Sequence, residues 1–143
     1  MKSELTLTKL FNYALIELVK RDSKNIQRDV SERNLCARLA FYLESYMQSS
    51  EVFEGYYADV EFNRKNGKKV KSFKDGKAIT VDLIVHSRGQ IQDKDNLIAI
   101  EMKKKSSTTK YENAANNDRK RLELLTAVQN GTEIYFGYQI GFF

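Results

Sequence analysis

Leu7, Leu10, Phe11, Ala14, Leu15 and Leu18 recur at intervals of three and four residues, which predicts an amphipathic first helix ending near Lys20. The polar stretch that follows, to Arg28, reads as a loop. Ser31 is a suitable N-cap for a second helix. Val30 and Leu35 are spaced as a hydrophobic staple, and Leu35, Leu39, Leu43 and Met47 form its apolar stripe. That pattern fades at Ser49 and Ser50.

Beyond this point the period changes to two. Tyr56 to Arg64 reads as a strand, Asn66-Gly67 and Asp75-Gly76 are turn signals, and Ile79 to Ser87 is a second strand. Leu97 to Lys103 is a third. A Ser/Thr loop over residues 106–109 leads into a helix that should end before Gly131, a plausible C-cap. The last strand is expected over Ile134 to Phe142, with Ile134, Phe136, Tyr138, Ile140 and Phe142 on one face and Gly137 and Gly141 on the other, where small residues permit close approach of a helix. The order helix, helix, three strands, helix, strand predicts an α/β fold.

A chain of 143 residues can bury one core of useful size, and with no proline, repeat or low-complexity linker nothing divides it. Cys36 is the only cysteine and His86 the only histidine, so an intramolecular disulfide and a structural zinc site are both excluded. Glu4, Lys9 and Glu17 interrupt the first segment before a signal h-region or membrane span could form, so a cytoplasmic protein with no membrane partner is expected. The charge is lopsided. Residues 1–60 hold 8 Lys/Arg against 9 Asp/Glu, and residues 61–143 hold 16 against 10. Arg64, Lys65, Lys68, Lys69, Lys71, Lys74 and Lys77 crowd the predicted hairpin with only Asp75 among them. Such a segment attracts a polyanion through phosphate contact and counterion release; a solvated lysine-rich loop is the plainer explanation.

Four acid-x-Lys pairs occur: Asp22/Lys24, Asp75/Lys77, Glu101/Lys103 and Asp118/Lys120. Only Glu101/Lys103 lies on an apolar strand, "NLIAIEMKK", where alternation sends both side chains to one face and Ile98, Ile100 and Met102 to the other. Asp82 interrupts the preceding strand, "ITVDLIVH". If the two strands are neighbours, Asp82 and Glu101 converge, and two half-buried carboxylates repel unless a cation lies between them. Oxygen ligands of this kind suit Mg(II) or Mn(II), and a lysine beside the ion can orient or help deprotonate a water and stabilise phosphoryl charge. The alternative is a capping Asp82 and a plain Glu101/Lys103 ion pair. Taken with the basic hairpin, the two carboxylates and the lysine favour the metal site.

"VDLIVHSRG" followed by "NLIAIEMKK" resembles the PD-(D/E)XK nuclease superfamily, in which an Asp on one strand and an acid-x-Lys on the next form a Mg(II)-dependent phosphodiesterase site. The resemblance spans roughly residues 30–143, as a restriction endonuclease-like αβββαβ core with a mixed four-stranded sheet flanked by helices and an additional N-terminal helix. It implies Asp82 and Glu101 as metal ligands and Lys103 as the catalytic lysine. "SERNLCARLAFYLES" is similar to the family's opening helix, which adds Glu32 as a third metal contact; an acid favouring the helix dipole is the alternative. Val81 stands where many members carry proline.

The implied substrate is nucleic acid, with DNA favoured, contacted by Arg64, Lys68, Lys69, Lys71, Arg88 and Arg121. Asp118 is expected as the in-helix partner of Arg121. Four residues beyond Asp82, His86 is expected on the same face, near the metal's edge. A homodimer or a targeting partner protein is left open, and the rival function is a catalytically inactive nucleic-acid-binding or protein-interaction module of the same fold.

Overall fold

The computed structural model describes residues 2–65, 69–70, 79–91, 94–104, 109–127 and 136–143. Helix α1 runs from Glu4 to Arg21; the hydroxyl of Ser3 accepts from the Thr6 amide at 3.1 Å, and Lys20 and Arg21 sit at the negative end of the helix dipole. The expected loop after it contains a five-residue helix, α2, Ser23–Gln27. Helix α3, Glu32–Gln48, begins at the predicted cap, with Ser31 Oγ accepting from the Asn34 amide at 3.2 Å.

Strand β1, Tyr57–Phe62, is followed by two short strands paired antiparallel, β2 (Arg64–Lys65) and β3 (Lys69–Val70); the Asn66-Gly67 and Asp75-Gly76 turn signals lie outside the described residues. Strands β4 (Val81–His86) and β5 (Asn96–Ile100) are both shorter than expected, and Glu101 to Lys104 run on past the end of β5. Helix α4, Thr109–Thr126, and strand β6, Ile140–Phe142, complete the described elements. β1, β4, β5 and β6 form one mixed sheet in that order, antiparallel between the first three and parallel between β5 and β6. The parallel pair needs a crossover, which α4 supplies.

Helices cover both faces. On one, α1 (Leu7, Leu10, Ala14, Leu18) and α3 (Leu39, Leu43, Met47) pack on Leu83, Val85, Ile98 and Ile100. On the other, Leu122 and Leu125 of α4 pack with Val81, Ile84, Ala99, Phe136 and Tyr138. Each fully buried leucine contributes about 2 kcal/mol. Leu15, expected in the α1 stripe, is exposed instead. At about 100° per residue it points roughly 80° away from Leu7, beyond the edge of the buried face.

The tail also departs from a single long strand. Phe136 and Tyr138 pack in the α4 layer, whereas Ile140 and Phe142 pack in the α1 layer, where Phe142 stacks on Phe11 with ring centroids 3.9 Å apart. Only Ile140–Phe142 pairs with β5 (Ile134 lies outside the described residues). The reason is the demand of two layers: β5 is buried on both faces, and the tail covers one before it extends the sheet beside the other. The glycine expectation holds at Gly141, where a Cβ would lie 3.3 Å from Thr126 Cγ2 and 3.4 Å from Leu122 Cδ2. Among the described residues no helix is long and apolar enough to cross a membrane.

Candidate active site

β4 and β5 are neighbours, with Leu83 opposite Ile100. Continuing that register by one residue sets Asp82 opposite Glu101, and like charges in that relation are unfavourable in a regular ladder. The regular pairing stops there. Asp82 Oδ2 accepts the Met102 amide at 2.9 Å, and the Glu101 amide turns to the Phe142 carbonyl at 3.0 Å. Glu101 is thus fixed between β4 and β6, and its carboxyl is almost wholly buried.

Burial pushes the Glu101 carboxyl up to about 9, and the neighbouring Asp82 charge pushes the same way, against Arg121. The neutral acid can hydrogen-bond Asp82. Arg121 of α4 brings Nη1 to 3.2 Å from Glu101 Oε1 and to 3.0 Å from the Thr80 carbonyl, while its Nη2 donates to Asp118 Oδ1 at 2.6 Å. The predicted in-helix pairing of Asp118 with Arg121 is present. Asp118 also lies 3.1 Å from Lys103 Nζ, which stands 3.7 Å from Glu32 Oε2. Burial works to lower the Lys103 ammonium, but the hydrogen bond and charge of Asp118, with Glu32 and Asp82, outweigh it and leave the pKa raised.

Three carboxylates, Asp82, Asp118 and Glu32, and the carboxyl of Glu101 therefore share two cationic side chains, Lys103 and Arg121. The deficit is visible in hydrogen bonding: Glu101 Oε1 and Asp118 Oδ2 are buried without a well-aligned donor despite their close ionic contacts. Asp82 and Glu32 also line a cavity of about 160 Å³ with Arg33, Cys36, Val60 and Glu61, room for several waters. A hard divalent cation fits this oxygen-rich, undercompensated set. Among the described residues no three His, Cys, Asp or Glu side chains gather as ligands of one ion. Such an ion would therefore take the Asp82/Glu101 pair and complete its shell with water, the habit of Mg(II). Glu32 is engaged elsewhere, its Oε1 accepting the Lys104 amide at 2.8 Å.

His86 does not follow the expectation that it borders this pair. Its Nε2 is 2.8 Å from Asp59 Oδ2 on β1, and its ring meets Phe62 edge-on. The alternation on which the expectation rests is broken: Val81 and Ile84, three residues apart, both pack in the α4 layer, and opposite this break Glu61 has φ +50°. Arg88, expected to meet phosphate, grips Asp59 through two bonds of 2.8 and 2.7 Å and lies over the Tyr57 ring. The Arg88 guanidinium holds the Asp59 carboxyl below the usual carboxylate range, with His86 assisting. Asp59 was unreadable from sequence because its partners lie 27 and 29 residues away. Arg64 and Lys69 are on β2 and β3; their side chains, together with Lys68 and Lys71, lie outside the described residues. Met102 faces the core as predicted, its sulfur 3.9 Å from Cys36 Sγ.

No protein-family model, curated protein or solved structure matches the chain.

Proposed function

We propose that this chain is a metal-dependent nuclease with a restriction endonuclease-like core of the PD-(D/E)XK type, hydrolysing a phosphodiester of nucleic acid, with DNA as the favoured substrate. The observation that carries the reading is the Asp82/Glu101 carboxylate pair, opposed at the end of β4 and β5, with Lys103 two residues beyond. Mg(II) or Mn(II) held by Asp82 and Glu101 supplies Lewis-acid polarisation of a phosphoryl oxygen.

Lys103 stays an ammonium at neutral pH, because Asp118 and Glu32 raise its pKa. It therefore orients a water and offers charge to the phosphoryl oxygens rather than removing a proton. Asp118 holds that ammonium from α4 and Glu32 from α3, so both helices fix its position. The basic residues Arg64, Lys68, Lys69 and Lys71, close together in sequence, support contact with a phosphate backbone, which carries no sequence readout.

The test is incubation of the purified protein with supercoiled and linear DNA, and with RNA, in Mg(II), Mn(II) or EDTA. Metal-dependent cleavage that is lost in Asp82→Ala and Lys103→Ala is the expected result. Absence of cleavage with either metal overturns the reading. One observation favours the inactive nucleic-acid-binding module as the rival: Arg121 already contacts Glu101. That rival predicts salt-dependent DNA binding without turnover.

A further inference from the structure

Arg121 touches three partners at once, and they differ in kind. Its bond to Asp118 Oδ1, at 2.6 Å, joins two residues of the same helix three positions apart, so it needs no rearrangement of the sheet to persist. Its contact with Glu101 Oε1, at 3.2 Å, crosses from α4 to the end of β5 and leaves that oxygen without a well-aligned donor. Arg121 keeps 26% of its side chain exposed and Lys103 23%, whereas Glu101 keeps 1%. An anion arriving from solvent meets the two cations before it meets the carboxyl.

We propose that Arg121 occupies the position beside Glu101 that a divalent cation takes over, and that the displaced guanidinium then engages a non-bridging oxygen of the bound phosphodiester, pivoting on its bond to Asp118. The inference rests on the nuclease reading above and adds an order of events. A guanidinium and a divalent ion compete for the position beside Glu101 Oε1, because two like charges cannot share it at contact distance. Once released, the guanidinium still has Asp118 as an anchor and a planar fork suited to phosphate. Metal binding thereby exposes a phosphate contact that the metal-free site keeps occupied.

The exchange predicts opposite signs for two affinities in one variant. In Arg121→Gln, Mn(II) measured by isothermal titration should bind about tenfold more tightly, since the competing charge is gone. DNA measured by fluorescence anisotropy in non-cleaving Ca(II) should bind more weakly, and the slope of log affinity against log salt should fall by about one. Arg121→Lys restores the charge and should return both quantities towards wild type, which separates the exchange from a folding defect. Mn(II) affinity that is unchanged or weaker in Arg121→Gln, or a salt slope that does not move, overturns the exchange while leaving the nuclease reading intact. A wild-type chain that neither binds Mn(II) nor cleaves overturns that reading, and the exchange falls with it.

Discussion

Replacing Glu101 by glutamine should stabilise the metal-free protein, although it removes a group proposed to be essential. The folded carboxyl titrates near 9, against an ordinary value of 4.5, because burial and Asp82 both disfavour its charge. In the unfolded chain the same carboxyl is ionised at neutral pH, so folding takes up a proton. A pKa raised on folding contributes stability that is complete below pH 4.5 and is lost as pH rises towards 9. Each pH unit in that window costs about 1.4 kcal/mol, so the burden at pH 7 is at most about 3.5 kcal/mol. Glutamine keeps the shape of the neutral acid and carries none of that burden. Urea unfolding of Glu101→Gln should thus show a gain of about 1 to 3 kcal/mol at pH 7, vanishing near pH 4.5 and widening towards pH 8. Mn(II) should offset that gain, adding about 2.7 kcal/mol to the wild type at one hundred times its dissociation constant and nothing to the variant. Parallel pH dependences, or a variant less stable at pH 7, would show that Glu101 takes up no proton on folding, and would refute the reasoning.

Three further outcomes follow from the packing. Asp22, buried at the end of α1, accepts from Tyr42 Oη at 2.6 Å, from Arg38 Nε at 3.1 Å and from Asn25 Nδ2 at 3.1 Å; Asp22→Ala should cost about 2 to 4 kcal/mol in urea unfolding, and a loss below about 0.5 kcal/mol would show that these bonds do not hold α1 to α3. Gly141→Leu drives a side chain into Thr126 and Leu122 and should lower stability by about 1 to 3 kcal/mol, against a smaller effect for alanine; equal melting temperatures for the leucine variant and the wild type would contradict the close approach. Burial pushes the Cys36 thiol up to about 12, so a disulfide reagent at pH 8 should label it only as the protein unfolds, and rapid labelling under native conditions would place it at the surface.

What could be read from sequence was whatever local periodicity controls. The heptad-like spacing of Leu7, Leu10, Ala14 and Leu18 and the cap at Ser31 needed no knowledge of distant partners. The apolar runs of β4 and β5 announced a buried sheet, and with it the convergence of Asp82 and Glu101. The failures arose where two layers compete for one segment. His86 lies away from the place that alternation predicts because the break opposite Glu61 shifts which residues of β4 face α4. The tail departs from a single strand because Phe136 and Tyr138 serve one layer and Ile140 and Phe142 the other, a division that alternation cannot express. Asp118 looked like a partner for Arg121 alone; that it also holds Lys103 depends on the crossover that sets α4 over the end of β5. The one available signal was a short acid amid a polar helix, at a position that faces the sheet.

The most direct test of the central claim is a crystal of the protein soaked in Mn(II), with anomalous scattering measured at the manganese edge. The account predicts a peak between the carboxylates of Asp82 and Glu101, with water completing the coordination. No peak there, with Glu101 still in contact with Arg121, would contradict it.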